Sequence, residues 1–241
     1  MNKNIKSIED EFNVTLFDRR KKHIILTDIG QIFYDKCVEA LAILDDLSLE
    51  MDDVTNIERG HIRLGISAIM DVRLFTESLN QFHSMYPNVT YEVVEGGGKA
   101  VEFYLNNDEI DVGITTLPVD DDIYHAVPLY KEKLMLVVDK NSKYAKQSSV
   151  YLGDLKNERF IMFHDDYYIK DQIIESCRKV GFHPKVVAKM AQITFIENMI
   201  LDGIGVSILP ESIVSILNKD ITGIEITGAD VNWNLGIIWK K

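Results

Sequence analysis

Residues 5–12 of this chain read IKSIEDEF, and residues 16–30 read LFDRRKKHIILTDIG. In the first stretch, Ile5, Ile8 and Phe12 recur at helical spacing, which predicts an amphipathic helix. The second stretch carries four consecutive basic side chains beside short apolar segments: Arg19, Arg20, Lys21 and Lys22. A basic loop next to a short helix is suited to contacts with nucleic acid phosphates. The alternative is an ordinary solvated turn, and charge alone does not separate the two.

Composition and charge narrow the class of protein. The chain has 241 residues, of which 46% are hydrophobic and 27% charged, as in soluble globular proteins. Its net charge of −12 is uneven, because residues 1–23 hold six basic and four acidic residues, which leaves −14 on the rest. Such a chain is expected to confine any nucleic acid contact to its basic end.

Several other classes of protein are disfavoured by the sequence. No apolar stretch approaches the roughly 20 residues of a membrane span, and the charged start is not a secretory signal, so a cytoplasmic location is expected. The two cysteines, Cys37 and Cys177, lack CxxC spacing and the histidines form no HExxH pair, so no metal site is expected. Neither a nucleophile elbow nor a phosphate loop is found, so we expect no enzyme and no cofactor.

A long helix is predicted from the N-cap Thr27 to about Asn56. Its apolar residues alternate between spacings of 4 and 3, which is typical of a coiled-coil seam: Phe33, Cys37, Ala40, Leu44, Leu47, Met51 and Val54. The alternative is a helix packed on its own domain. Because the helix lies between two differently patterned regions, we interpret it as a dimerisation linker that ends at the hinge Arg59-Gly60-His61.

Strands and helices alternate from His61 onward, which predicts βαβ units and a mainly parallel sheet. Residues 134–138 are expected to connect a first group of strands and helices to a second, similar group, and the last strand is expected to return to the first group. The predicted strands are 62–67, 89–95, 110–115, 159–163, 185–189, 206–209 and 233–239, and the predicted helices are 72–85, a segment ending at 105, 169–180 and 195–201.

Polar residues and glycines follow several of these strands. In an open α/β sheet, ligands bind beyond the carboxyl ends of strands, where helix N-termini present free N–H groups. Amides, hydroxyls and one imidazole in a shared cleft would suit a small carboxylate. The candidate ligand-binding residues are Ser67, Ala68, Ile69, Gly97, Gly98, Thr115, Thr116, His164, Gln192 and Thr194. Singly, each also has a structural explanation, since the glycines suit a tight turn and His164 a polar strand end.

Four motifs occur in the order and spacing of one known family. The segments 16–19 and 26–30 resemble the L-F-x-R and L-T-x-x-G pattern that ends the winged helix-turn-helix domain of LysR-type transcriptional regulators. The family's F-x-x-x-Y-P resembles residues 82–87, its D-x-G-I residues 111–114, and its G-x-G-[IV]-x-x-L-P residues 203–210. The similarity covers nearly the whole chain. Segments 117–122 and 233–241 further resemble CidR-type members, which are activators thought to respond to weak organic acids.

The resemblance implies an α/β fold with a partial winged helix-turn-helix and a linker helix before a two-subdomain, periplasmic-binding-protein-like (type 2) effector domain. The implied boundaries are 1–30 for the DNA-binding remnant, 31–58 for the linker and 61–241 for the effector domain. Within the effector domain, subdomain I would take 61–138 and 217–241, and subdomain II 139–216. The helices that read base edges are expected to be missing from this chain, which would then be an N-terminally truncated regulator.

The family implies a DNA-binding regulator, a homodimer or homotetramer, whose effector domain senses a small organic acid and acts through quaternary change. Contacts to double-stranded DNA, in the intact form, are expected from Lys3, Arg19, Arg20, Lys21 and Lys22. Many family members have Ser or Thr where Ile69 stands, which moves the expected carboxylate contact to Ser67 and the backbone near Ala68. The alternatives are a stand-alone solute-binding protein, an enzyme on the same scaffold, or a truncated dominant-negative partner of an intact regulator.

Overall fold

The computed structural model describes residues 3–18, 24–55, 60–229 and 232–241. The side chains of residues 3, 42 and 44–55 are not among those described. The chain divides into two compact units, Met1–Gly60 and His61–Lys241.

The described residues of the first unit form two helices and a hairpin: α1 (Lys3–Phe12), β1 (Phe17–Asp18), β2 (Ile25–Leu26) and α2 (Asp28–Thr55). The strands pair antiparallel, with Phe17 opposite Leu26. The α1 helix is tied to this hairpin because the Glu9 carboxylate accepts a hydrogen bond from the Leu16 N–H at 2.8 Å.

Thr27 caps the long helix α2. Its hydroxyl oxygen accepts a hydrogen bond from the Gly30 N–H at 2.9 Å, as an N-cap side chain does, so the predicted start of the helix is confirmed. A side chain at Gly30 would collide with the main chain, because its Cβ would lie 2.0 Å from the Leu16 carbonyl oxygen. In the Thr-x-x-Gly segment, the threonine therefore caps the start of the helix, and the glycine leaves room for the backbone at Leu16.

The second unit alternates strands and helices over its whole length. In chain order it contains β3 (Gly60–Ser67), α3 (Val72–Met85), β4 (Val89–Gly96), α4 (Gly98–Asn106), β5 (Val112–Thr116), β6 (Tyr124–Asp139), β7 (Ser149–Tyr151), a 3-10 turn (Leu152–Asn157), β8 (Arg159–Met162), α5 (Tyr168–Lys179), β9 (Lys185–Lys189), α6 (Ile193–Leu201), β10 (Ser207–Pro210), α7 (Glu211–Val214), β11 (Ile221–Thr227) and β12 (Asn232–Lys240).

Strand β6 joins two halves of this unit. The main sheet has the order β4-β3-β5-β12-β6-β11-β7, and β10 also pairs with β6. Residues 124–133 of β6 pair with β12, whereas 134–139 pair with β10 and β11. We call β3–β5, β12, α3 and α4 the first half, and β7–β11 with α5–α7 the second half.

The hydrophobic core consists of two clusters, and the larger one contains residues of both halves. A large cluster includes the fully buried Phe160, Leu136 and Trp233, and a smaller one under α4 contains Val101, Leu105 and Ile238. Burial of such side chains from water is the main stabilising contribution to the fold. No helix within the described ranges is long and apolar enough to cross a membrane.

The predicted sheet differs from the observed one in two ways. The expectation of a mainly parallel sheet is wrong, because β12, β10 and β11 all pair antiparallel with β6. Strand β11 pairs with β6 and β7 and is therefore grouped here with the second half, whereas the family resemblance implied 217–241 for subdomain I. Only residues 134–138 of the long strand β6 were singled out from the sequence. The strand also includes Pro128, which lacks a backbone N–H, and the pairing accommodates it at a register shift beside Gly236.

Candidate functional site

The N-terminus of α4 holds a carboxylate from the other half of the second unit. The Gly97 N–H donates to Asp166 Oδ2 at 3.0 Å, and the Lys99 N–H donates to the Asp166 carbonyl at 3.1 Å. Helix N-termini favour anions because their first N–H groups lack helical partners. The contact between the two halves therefore places a carboxylate at a helix N-terminus, where an anion is stabilised.

Close packing at this point depends on glycine. A Cβ on Gly97 would lie 2.3 Å from the Asp166 carbonyl oxygen, and a Cβ on Gly98 would lie 2.6 Å from Thr115 Oγ1. The Thr115 hydroxyl donates to the Gly98 carbonyl at 3.2 Å. The predicted residues Gly97, Gly98 and Thr115 are thus brought together, but their polar groups are engaged by the protein itself.

Further polar contacts join α4 to the start of α5. The Lys99 ammonium forms an ion pair with Asp171 at 2.5 Å and donates to the Asp165 carbonyl at 3.0 Å. The Tyr168 hydroxyl donates to the Glu102 carboxylate at 2.8 Å. Burial raises the pKa of Glu102, an effect that the Tyr168 hydrogen bond partly opposes. We call this set of contacts the α4–α5 contact.

A polar cavity of about 410 Å³ opens beside the α4–α5 contact. Its walls come from both halves, since the end of β5 and strand β12 face the first turns of α5. The lining residues are Thr116, Leu117, Pro118, Lys131, Tyr168, Asp171, Gln172, Asn232 and Asn234. A volume in this range suits a small molecule.

Three of the lining side chains have unmet electrostatic or hydrogen-bonding capacity: those of Thr116, Lys131 and Asn234. Asn234 Oδ1 is buried and has no hydrogen-bond partner among the described residues. Lys131, exposed on β6, lies directly opposite Asn234 in the antiparallel pairing and forms no ion pair within the described part of the chain. Directly opposed residues share one face of a sheet, so the ammonium and the amide face the cavity together.

Three of the predicted residues, Ser67, Ala68 and Thr116, lie at or just after the ends of β3 and β5 in the first half. Ser67 is buried and its hydroxyl lacks a partner within the described ranges, as does that of Thr116. The Ala68 N–H donates to the Gly96 carbonyl at 3.0 Å, which joins the ends of β3 and β4.

The remaining predicted residues lie away from these contacts. Ile69 is fully buried in the large core cluster, and its carbonyl accepts a hydrogen bond from the Trp233 indole at 3.3 Å. His164 is exposed and uses its carbonyl to accept from the Tyr167 N–H. Gln192 and Thr194 are exposed at the start of α6, where the Gln192 side chain makes no cap.

A second, apolar cavity of about 560 Å³ lies between α3 and the first-half sheet. The α3 helix has no buried residue, so its apolar side chains line this space together with β3 and β5. Its polar lining side chains are those of Ser78 and Tyr91. With so few groups to orient a ligand, it is a weaker candidate than the polar cavity.

The predicted DNA contacts fall largely outside the described residues. Residues 19–23, which include all four basic residues of the loop, are not described, and neither is the side chain of Lys3. The hairpin that brackets this loop is described, as reported above. In the predicted seam, Phe33 and Cys37 are half-buried and Ala40 is exposed, while the side chains of Leu44, Leu47, Met51 and Val54 lie outside the description.

Sequence reasoning missed the residues that shape the polar cavity. Asp166, in the neighbouring contact between the halves, follows a strand, as a site residue should. It lies 69 residues from Gly97 in the sequence, and only the fold brings the two together. Lys131 and Asn234 lie within strands, where an exposed lysine or a half-buried asparagine carries no signal on its own. Their significance comes from the register that places them side by side.

Comparison with known proteins identifies the family. Residues 56–241 match the model of the LysR substrate binding domain. The chain is 33% identical over 242 residues to the HTH-type transcriptional regulator YwbI of Bacillus subtilis, covering all of this chain and 80% of that protein.

Two solved structures share the fold. A full-length OxyR variant from Pseudomonas aeruginosa superposes with a TM-score of 0.77 at 21% identity, covering 98% of this chain and 82% of that one. The effector binding domain of QuiR, in complex with shikimate, gives a TM-score of 0.68 at 21% identity, covering 76% and 88% of the respective chains. The fold, the ordered motifs and the matched domain agree, and the chain belongs to the LysR family of transcriptional regulators.

Proposed function

We propose that the second unit senses a small organic acid in the cleft between its two halves. The observation that carries this proposal is the polar cavity walled by both halves. A ligand that contacts both walls stabilises one relative position of the halves over others, and only such differential binding shifts a conformational equilibrium. The residues predicted for this cleft, from Ser67 to Thr116, form its first-half wall in this proposal.

Charge and precedent both favour an acid. Lys131 offers an ammonium without an ion pair among the described residues, and anions complement such a group. In the related fold of QuiR, the bound molecule is shikimate. The acid class therefore rests on a cation in the cavity and on a ligand in a structural relative.

Assembly is proposed to transmit the signal. Helix α2 exposes large apolar side chains at helical spacing, among them Tyr34, Val38 and Leu41. Phe33, at the start of the predicted seam, instead contacts Phe12 of its own chain, with ring centroids 6.1 Å apart. We propose that α2 mediates a homodimer or homotetramer, that residues 1–30, 31–58 and 61–241 act as DNA-binding, linker and effector segments, and that the acid changes how subunits assemble on DNA.

A thermal-shift panel tests the sensing step. Small carboxylic acids, including shikimate, are added to the full chain, with the methyl ester of each acid as the uncharged control. A bound ligand raises the melting temperature in proportion to RT ln(1 + [L]/Kd), so an acid that binds in the cleft raises it while its ester does not. Sedimentation with and without the active acid then reports on assembly. If no acid stabilises the chain, or acid and ester act alike, the proposal is wrong.

A further inference from the structure

The anion-binding position that the sequence favours is already filled. Asp166 supplies the carboxylate at the N-terminus of α4, and glycine at position 97 lets it approach closely. The Lys99 ammonium is likewise engaged by Asp171. Among the described residues that line the polar cavity, Lys131 is therefore the basic group left to receive an incoming acid.

We propose that the polar cavity binds a small hydroxy acid, with its carboxylate on Lys131 and its hydroxyl on Asn234. This inference rests on the proposed function and names the ligand class and the two residues that select it. The Lys131 ammonium donates to the carboxylate, and the ligand hydroxyl donates to Asn234 Oδ1.

The spacing of the two side chains suits this ligand. Lys131 and Asn234 are directly opposed across β6 and β12, and opposed Cβ atoms lie about 5 Å apart. The Lys131 ammonium ends a flexible four-carbon stem, so it can reach a carboxylate while a hydroxyl on the adjacent carbon lies against the Asn234 amide. The cavity volume of about 410 Å³ leaves room for the rest of such a molecule.

The unpaired oxygen of Asn234 favours a ligand that carries a hydrogen-bond donor. Its Oδ1 is buried without a partner among the described residues, and a buried acceptor left unpaired costs free energy that a donor recovers. A hydroxyl fits better than an ammonium, because the cavity carboxylate of Asp171 is already paired with Lys99 and leaves no free anion to neutralise a second positive charge.

Matched pairs of acids test the proposal on the full chain by calorimetric titration. Each 2-hydroxy acid is compared with its deoxy counterpart: lactate with propionate, malate with succinate, and mandelate with phenylacetate. Wild-type protein is expected to prefer the hydroxy member of a pair about 10-fold or more, since a site built to hydrogen-bond a hydroxyl rejects the analogue that lacks it.

Three variants separate the two contacts. Lys131→Gln should weaken both members of a pair about 10-fold or more, because it removes a charge-assisted hydrogen bond. Lys133→Gln is the matched control, since Lys133 lies on the same strand, outside the cavity, and is paired with Glu225; its affinity should equal wild type. Asn234→Leu should abolish the preference for the hydroxy acid while the deoxy acid still binds, and Asn234→Ser repeats this test if the leucine variant does not fold.

The outcomes distinguish this inference from the proposed function. If acids bind wild type but Lys131→Gln and Lys133→Gln behave alike, the ligand lies elsewhere and this inference is overturned, while acid sensing stands. If the wild-type protein binds both members of every pair equally, the role of Asn234 is overturned. If neither these acids nor any of the thermal-shift panel binds, both proposals fail together.

Discussion

Gly97→Ala probes the contact between the halves of the second unit. Gly97 has φ −72° and ψ 160°, which alanine adopts freely, so the substitution introduces no backbone strain. Its added Cβ would lie 2.3 Å from the Asp166 carbonyl oxygen and 2.5 Å from Asp166 Oδ2. Either the neighbouring segment tolerates the overlap or it moves away and loses the hydrogen bond to the Gly97 N–H.

Both responses destabilise the folded second unit by a similar amount. Overpacking costs about 1–3 kcal/mol, and loss of a hydrogen bond to a charged group costs about 1.5–3 kcal/mol. For a unit of this size, each kcal/mol lowers the melting temperature by about 2–4 °C, so we expect a fall of about 2–12 °C by circular dichroism.

Gly60→Ala is the matched control for this experiment. Among the described residues, nothing lies within 4 Å of a Cβ at Gly60, and φ there is ordinary. The melting temperature of the Gly60→Ala variant should therefore stay within about 1 °C of wild type, as for a neutral surface substitution. Equal melting temperatures for the two variants would refute the close contact between Gly97 and Asp166. A fall confined to Gly97→Ala would support it.

Three further predictions concern titratable groups. Burial raises the pKa of Cys177 to about 12, so a thiol reagent should modify it far more slowly in folded than in unfolded protein; equal rates would contradict this. Burial raises the pKa of Glu102 above its ordinary value, so its favourable contribution is present at acidic pH and lost as pH rises through the folded-state pKa. In urea unfolding, Glu102→Gln should therefore gain more free energy of unfolding relative to wild type at neutral pH than at acidic pH. A difference in that free energy that does not vary with pH would contradict the prediction. The Arg63 guanidinium lowers the pKa of Asp111, so the stability it adds should disappear as pH falls through the folded-state pKa, and Arg63→Gln should remove that part of the acid dependence.

Much of the local structure follows from the sequence. The helix 72–85 and the strand 185–189 were predicted with the bounds that the structure shows, because periodicity and flanking residues act over a few positions. Thr27 was predicted as an N-cap from residue type alone, and its hydroxyl performs that role. The ordered motifs were sufficient to indicate the family before any contact was known.

The candidate site was only partly predictable. Rules about strand ends pointed to Gly97, Gly98 and Thr115, which the structure does bring together. The same rules also pointed to Ile69, but its side chain is buried in the large core cluster. Nothing local marks a strand residue such as Lys131, because an exposed lysine has the same local pattern whether or not it faces a cavity.

Short-range patterns in this sequence determine where helices and strands begin, which residues cap them and which family the chain belongs to. The tertiary structure decides which residues from distant parts of the chain come into contact. Asp166 reaches α4 from 69 residues away, and Lys131 meets Asn234 through the register of two long strands. A contact of that kind depends on the packing of the whole unit, since a shift of one residue in strand pairing would turn each side chain to the opposite face of the sheet.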